Sequence, residues 1–202
     1  KPGFLPLTVG PAGPTAAQAW AWGLNDVGSL GLGDTAARSS PVQIGTEANW
    51  SSLSNGHENS LGVKTEGSLY AWGGNNNGEL GLGNTTNYSS PVQVGALTDW
   101  LKATASYDGG GAIKTDGTLW MWGRGTYGAL AQGNTTNYSS PVQVGALTTW
   151  ATLSSGYFCS SATTTDGKLY AWGQNGYGQL GQGNVTSYSS PVQVGALTTW
   201  AT

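Results

Sequence analysis

Residues 69–100 read LYAWGGNNNGELGLGNTTNYSSPVQVGALTDW, and nearly the same line starts again at 119 and at 169. Trp22, Trp72, Trp122 and Trp172 fall 50 residues apart, as do Pro41, Pro91, Pro141 and Pro191, and Trp50, Trp100, Trp150 and Trp200. Between Asn84–Trp100 and Asn134–Trp150 a single position differs, Asp99 against Thr149. A period of this length belongs to stacked or radial repeat architectures. The chain is about four copies of one unit: 16–50 in part, then 51–100, 101–150 and 151–200, behind an atypical segment 1–15.

One copy reads as four short strands. Trp50–Ser54 is the first, and Ser60–Thr65 is the second, with Leu61 and Val63 alternating against small or polar residues. Glu66–Gly67, and Asp116–Gly117 and Asp166–Gly167 after it, predict a two-residue type I′ hairpin, whose central residues need positive φ. Ser68–Trp72 is the third strand, placing Leu69 and Ala71 on one side and Tyr70 and Trp72 on the other. A Gly/Asn loop with one inward Leu80 leads to Pro91–Val94, the fourth, with proline at its start, where a missing N–H is tolerated. Helical periodicity is absent. A four-stranded antiparallel meander cannot bury both its faces alone, so copies packed radially predict an all-β fold, a β-propeller of four-stranded antiparallel blades. The alternative, a linear β-solenoid, usually has shorter repeats without internal hairpins. Trp22, Trp72, Trp122 and Trp172, with Leu30, Leu80, Leu130 and Leu180, are the expected packing between blades, each Trp bringing a large apolar area and one N–H to satisfy.

These residues carry a resemblance. An acid–Gly pair, then Leu-aromatic-x-Trp-Gly, then a loop ending Gly-x-Leu-Gly-x-Gly, as in Glu66–Gly83, Asp116–Gly133 (with Ala131 for the middle Gly) and Asp166–Gly183, resembles the regulator of chromosome condensation (RCC-type) repeat over essentially residues 16–202. The resemblance implies a propeller, most often seven-bladed. Departures exist. Where that family often has histidine before the second strand, this chain has Asn59, Gly109 and Cys159, and Ala16–Ala17 stand where the first copy would have its acid–Gly turn. Three readings of the copy number stay open. The chain is part of a larger, seven-bladed ring, which is the favoured one. It is an open arc that self-associates through its blade edges. Or it closes as four blades, with Trp200–Thr202 supplying a strand as a clasp. The plant ultraviolet-B receptor is similar to the same family, but its Gly-Trp-Arg-His-Thr motif is absent here.

Composition narrows the partners. Charged residues are 8% of the 202, against roughly a quarter in ordinary soluble domains, and the formal charge is −3. Seven basic residues are scattered with no stripe, which argues against nucleic acid. No apolar run approaches the ~20 residues of a membrane span. His57 is the one histidine and Cys159 the one cysteine, so no zinc-type cluster, disulfide or cofactor is expected. Asp34, Asn84, Asn134 and Asn184 recur after Gly as turn-capping residues, and Asn75–Asn77 reads as a loop of residues tolerant of left-handed backbone. No acid–base pair, nucleophile or phosphate loop is present, and the expectation is no enzyme.

In an up-and-down blade, the first-to-second and third-to-fourth connections share one face. Those are the segments that differ between copies, bringing His57, Glu58, Tyr107, Asp108, Arg124, Tyr127, Tyr157, Phe158 and Tyr177 to that face, while the other face is nearly constant. A Tyr-rich varied face on a constant scaffold predicts a binding surface for a protein or cell-surface receptor; the bland alternative is drift of loops on which little packs. The expected function is a non-enzymatic scaffold, extracellular or on a virion surface, by likeness to bacterial and phage repeats of this family. The resemblance also suggests a protein inhibitor of an enzyme or a GTPase-exchange-factor-like propeller, the latter poorly served by so little charge.

Overall fold

The computed structural model describes the backbone of Leu7–Val9 and all of residues 17–200. The rest of the atypical 1–15 segment, and Ala201 and Thr202 of the expected clasp, lie outside the described residues. The first blade holds β1 (Leu7–Val9), β2 (Ala19–Gly23) and β3 (Arg38–Gln43). The second holds β4 (Trp50–Asn55), β5 (Asn59–Lys64), β6 (Leu69–Gly73) and β7 (Tyr88–Gln93). The third holds β8 (Trp100–Ala105), β9 (Gly109–Lys114), β10 (Leu119–Gly123) and β11 (Tyr138–Gln143). The fourth holds β12 (Trp150–Ser155), β13 (Cys159–Thr164), β14 (Leu169–Gly173) and β15 (Tyr188–Gln193). Every sheet is an antiparallel meander in chain order, as the sequence predicts.

The inner strands β4, β8 and β12 bind one another side by side. Ala105 N donates to Ser54 Oγ at 3.0 Å, Lys102 Nζ to Ala151 O at 2.8 Å and Thr104 Oγ1 to Leu153 O at 3.2 Å. The outer strands are sheet edges. β7 begins at Tyr88, so Pro91 sits in its middle rather than at its start. The edge position explains the tolerance, because no further strand needs the missing N–H.

The core is three clusters, each straddling two consecutive blades. Alternation along the third strand builds them. Leu69 and Ala71 pack forward with Trp100 and Trp122, while Trp72 packs back with Leu30, Ala21 and Trp50. Trp72, Trp122 and Trp172 are fully buried, and each indole N–H reaches a carbonyl of the preceding blade: Ser29 at 3.0 Å, Glu79 at 2.8 Å and Ala129 at 2.9 Å. Each also meets the first-strand Trp of its own blade edge to face, at 5.8, 6.4 and 6.3 Å between centroids. Leu30, Leu80, Leu130 and Leu180 are buried as expected. Trp22 departs from the expectation. It is only half-buried, because no preceding blade among the described residues covers the face it occupies.

The hairpin turn also departs. Lys64 N donates to Ser68 O and Gly67 N to Lys64 O, both at 2.9 Å, and in all three turns glycine alone has positive φ (+86°, +77° and +78°). That is a three-residue loop, a type I turn closed by a left-handed glycine, not a type I′ turn. The acidic residue instead folds its carboxylate back: Asp116 Oδ1 accepts Thr118 N at 3.0 Å and Thr118 Oγ1 at 2.7 Å. Glycine is also required by contact, since a Cβ on Gly67 would lie 2.2 Å from Thr98 O.

These turns set a pH dependence. Hydrogen bonds from Thr118, Lys168 and Ser68 hold the Asp116, Asp166 and Glu66 carboxyls below their ordinary ranges, and Arg38 does so for Asp34. A depressed folded pKa contributes stability that is present above the unfolded pKa and lost as pH falls through the folded value. The expected result is a urea midpoint flat from neutrality to about pH 5 and falling below about pH 4. Asp116→Asn should flatten part of that fall.

Candidate binding face

In the second, third and fourth blades two loops rise to the varied face, and backbone hydrogen bonds seat them on one another. Gly74 N donates to Glu58 O, Arg124 N to Asp108 O and Gln174 N to Phe158 O, all at 2.8 Å. In the second, third and fourth blades the first-to-second loop is thereby pinned to the long third-to-fourth loop.

Side chains from three blades meet there. His57, Tyr107 and Tyr157 occupy one position in successive blades. The His57 ring stacks on Tyr107 at 4.2 Å between centroids, and the Tyr107 ring lies tilted against Tyr157 at 3.9 Å. Phe158 continues the row edge to face, 4.2 Å from Tyr157, and Tyr127 lies 5.5 Å beyond it. Arg124 closes the row, with its guanidinium 5.4 Å from the Phe158 ring and an ion pair to Asp108 Oδ2 at 2.9 Å. Glu58 sits at the other end, 3.8 Å from the His57 imidazole. Eight of the nine sequence-predicted residues therefore form one connected row. Tyr177 is the exception: it shares the face but is 92% exposed and has no ring contact among the described residues. Tyr127 and Tyr157 are about half exposed, so the row offers its rings to solvent.

Sequence reading missed what holds the long loops. Asn75, read as a turn residue, is fully buried. Its Oδ1 accepts Leu80 N at 2.9 Å, and its Nδ2 donates to Asn84 O at 3.0 Å and Thr86 O at 2.9 Å. Asn25 and Asn175 make the same clamp. The available signal was recurrence: Asn at 25, 75 and 175, with Gly at 125. In the third blade, backbone fills the clamp's place, and a Cβ on Gly125 would be 2.1 Å from Thr136 O. That same loop holds Tyr127 (φ 58°) and Ala131 (φ 61°), the two non-glycine residues at positive φ among those described. Strain of this kind concentrates where a side chain is being aimed, and here Tyr127 is aimed at Phe158. Asn84, Asn134 and Asn184 do cap turns, each accepting the N–H two residues on at 2.8–2.9 Å.

Chemistry is sparse elsewhere. Burial pushes the half-buried Cys159 thiol above its ordinary value, away from thiolate. Among the described residues no three of His, Cys, Asp and Glu gather as a metal site, and no helix is long and apolar enough to cross a membrane.

Residues 17–63, 66–113, 116–163 and 166–201 match the regulator of chromosome condensation (RCC1) repeat, and a second profile of the same description matches 150–179. No curated protein sequence matches the chain. Among solved structures it is similar to Prp20p from Saccharomyces cerevisiae (18% identity, TM-score 0.79, 91% of this chain and 47% of that one), described with its binding to Gsp1p and histones. It is similar also to human WBSCR16 (22%, 0.75, 90% and 50%) and to yeast RCC1 (Prp20) in complex with Kap60 (18%, 0.76, 90% and 45%). At these identities the likeness shows the fold, and the chain spans about half the length of these neighbours. Repeat period, four-stranded blades and matched residues agree, and the chain belongs to the regulator of chromosome condensation (RCC1) repeat family.

Proposed function

We propose that this chain is a non-enzymatic, protein-binding propeller scaffold that engages its partner through the varied loop face. One observation carries the reading: the row His57–Tyr107–Tyr157–Phe158–Tyr127 is continuous across three blades and ends on Arg124. Loops drifting independently have no reason to place rings in contact at equivalent positions of successive blades. Tyrosine and arginine are the side chains that dominate binding energy at protein interfaces. The RCC1-type neighbours described with protein partners support a protein rather than a small ligand. The low charge, with loops rich in Asn, Ser, Thr and Gly, supports an exposed setting, outside the cell or on a virion surface.

The test is a Tyr107→Ala, Tyr157→Ala double variant, titrated against proteins captured by the wild-type chain from its source. We expect affinity to fall at least about tenfold, with the folded spectrum unchanged because both rings are partly solvent-exposed. Leu97→Ala, on the constant face and 48% exposed, should leave binding alone. Equal binding by the double variant rejects the reading.

A further inference from the structure

Comparing one position across blades takes the binding-face reading, on which this inference rests, to the chemistry of the partner. In the third blade Arg124 hangs over Asp108 of its own blade and reaches Phe158 of the next. In the second blade the backbone is the same, with Gly74 N on Glu58 O as Arg124 N is on Asp108 O, both at 2.8 Å. The side chain differs: position 74 is glycine. Glu58 thus stands where Asp108 stands one blade later, without the guanidinium. Asp108 in turn stands where Phe158 does. A cation placed over Gly74 as Arg124 lies over its blade falls between two carboxylates.

The surroundings complete the arrangement. The Glu58 side chain is 43% exposed, and the group paired with it is the His57 imidazole at 3.8 Å. The Asp108 side chain is 15% exposed, so a second cation would meet a largely desolvated carboxylate. His57 and Tyr107, the residues preceding Glu58 and Asp108, stack on one another at 4.2 Å. The Tyr107 phenol is held above its ordinary range first by Tyr157, then by burial, and further by the negative charges of Asp108 and Glu58. The chain builds the same combination internally on its opposite face. Lys114 lies 4.6 Å from the Trp120 ring centre and 5.0 Å from that of Trp100, with Asp99 at 3.3 Å.

We propose that Glu58, Asp108 and the His57–Tyr107 ring pair form a socket, floored by Gly74, that takes one lysine or arginine side chain of the protein partner. The socket lies at the His57 end of the aromatic row, and Asp108 links it to Arg124. The row therefore recognises a segment that presents an aromatic or apolar stretch beside a cation.

A displayed library of random linear peptides, selected on the wild-type chain, supplies the probe. Individual selected peptides are then synthesised and titrated against wild type, Glu58→Gln, Gly74→Arg and the Tyr107→Ala, Tyr157→Ala double variant. Gly74→Arg should fold. Its φ is not in the left-handed region, a Cβ there meets the Glu58 side chain at 3.1 and 3.2 Å and the Glu58 carbonyl oxygen at 3.6 Å, and Arg124 occupies the equivalent place. The expected result is a pool enriched in Lys or Arg. Its members should bind Glu58→Gln and Gly74→Arg at least about tenfold more weakly, and should weaken on wild type as salt rises from about 50 to about 500 mM. Peptides without a cation, or peptides that bind both socket variants as well as wild type, overturn the socket. If those peptides still fail on the tyrosine double variant, the binding face stands and only the socket falls. A selection that yields no binder, or binders indifferent to every variant, removes both.

Discussion

Replacing Trp122 with alanine should lower stability by about 3–5 kcal/mol, the range for truncating a large buried aromatic, while the same change at Trp22 should cost no more than about 1 kcal/mol. The two residues hold one position in the repeat, so chemistry and local sequence are nearly constant between them. Burial separates them. Trp122 is fully buried in the cluster shared by the second and third blades, and its N–H is bound to Glu79 O at 2.8 Å. Glycines make room for it: a Cβ on Gly81 would be 3.0 Å from its indole nitrogen, and one on Gly110 2.7 Å from the ring. Alanine would leave that space with no other side chain to fill it and would strand a buried carbonyl as well. Trp22 is half-buried in the described structure. Equilibrium urea unfolding followed by far-ultraviolet circular dichroism measures both. Equal losses would mean that Trp22 packs as Trp122 does, against chain that the described residues do not include, and the half-buried assignment would be withdrawn.

That contrast also marks how far the sequence could be read. The 50-residue spacing placed every third strand and said which face its Trp lies on, because alternation along a strand is a geometric necessity. It could not say that the first Trp is less buried than the rest, since burial depends on the neighbouring blade and not on the repeat's own sequence. The acid–Gly pair predicted a hairpin correctly and its turn type wrongly. Side-chain capping by Asp116 stabilises a right-handed conformation that the dipeptide alone does not specify. The varied face was legible from topology plus comparison of copies. The contact between its residues was not, because His57, Tyr107 and Tyr157 meet only once blades are placed side by side. The Asn clamps were hidden for the opposite reason. Asparagine in a Gly-rich loop suggests a turn by default, and only its recurrence at 25, 75 and 175 separates Asn75 from Asn76 and Asn77.

The structure ties the varied face to the interfaces between blades, and one pair of glycines tests that tie. Gly128 has φ +77° and Gly178 has φ +78°, so alanine at either incurs the same left-handed backbone cost of about 1 kcal/mol. Their surroundings differ completely. A Cβ on Gly128 would stand 2.3 Å from the Cα of Ser189, in the outer strand of the fourth blade, whereas one on Gly178 meets nothing within 4 Å among the described residues. Gly28 and Gly78 repeat the first situation, each 2.5 Å from the Cα of a serine in the following blade. Relief of the Gly128 clash needs backbone movement, and Gly133 N, bound to Ser189 O at 2.7 Å, would have to give way too. Gly128→Ala should therefore lose about 3 kcal/mol in all, overpacking added to strain, against about 1 kcal/mol for Gly178→Ala. In an array whose stability lies in nearest-neighbour interfaces, the loss should fall on the junction of the third and fourth blades. Amide hydrogen exchange should then rise in Trp150–Gln193 ahead of the second blade. Binding should follow, because Tyr157 and Phe158 belong to the fourth blade while Tyr107, Arg124 and Tyr127 belong to the third. If Gly128→Ala and Gly178→Ala lose the same stability, the serine–glycine contact is not what couples neighbouring blades. If Gly128→Ala loosens the fourth blade yet binds its partner as wild type does, the aromatic row is not the surface that binds.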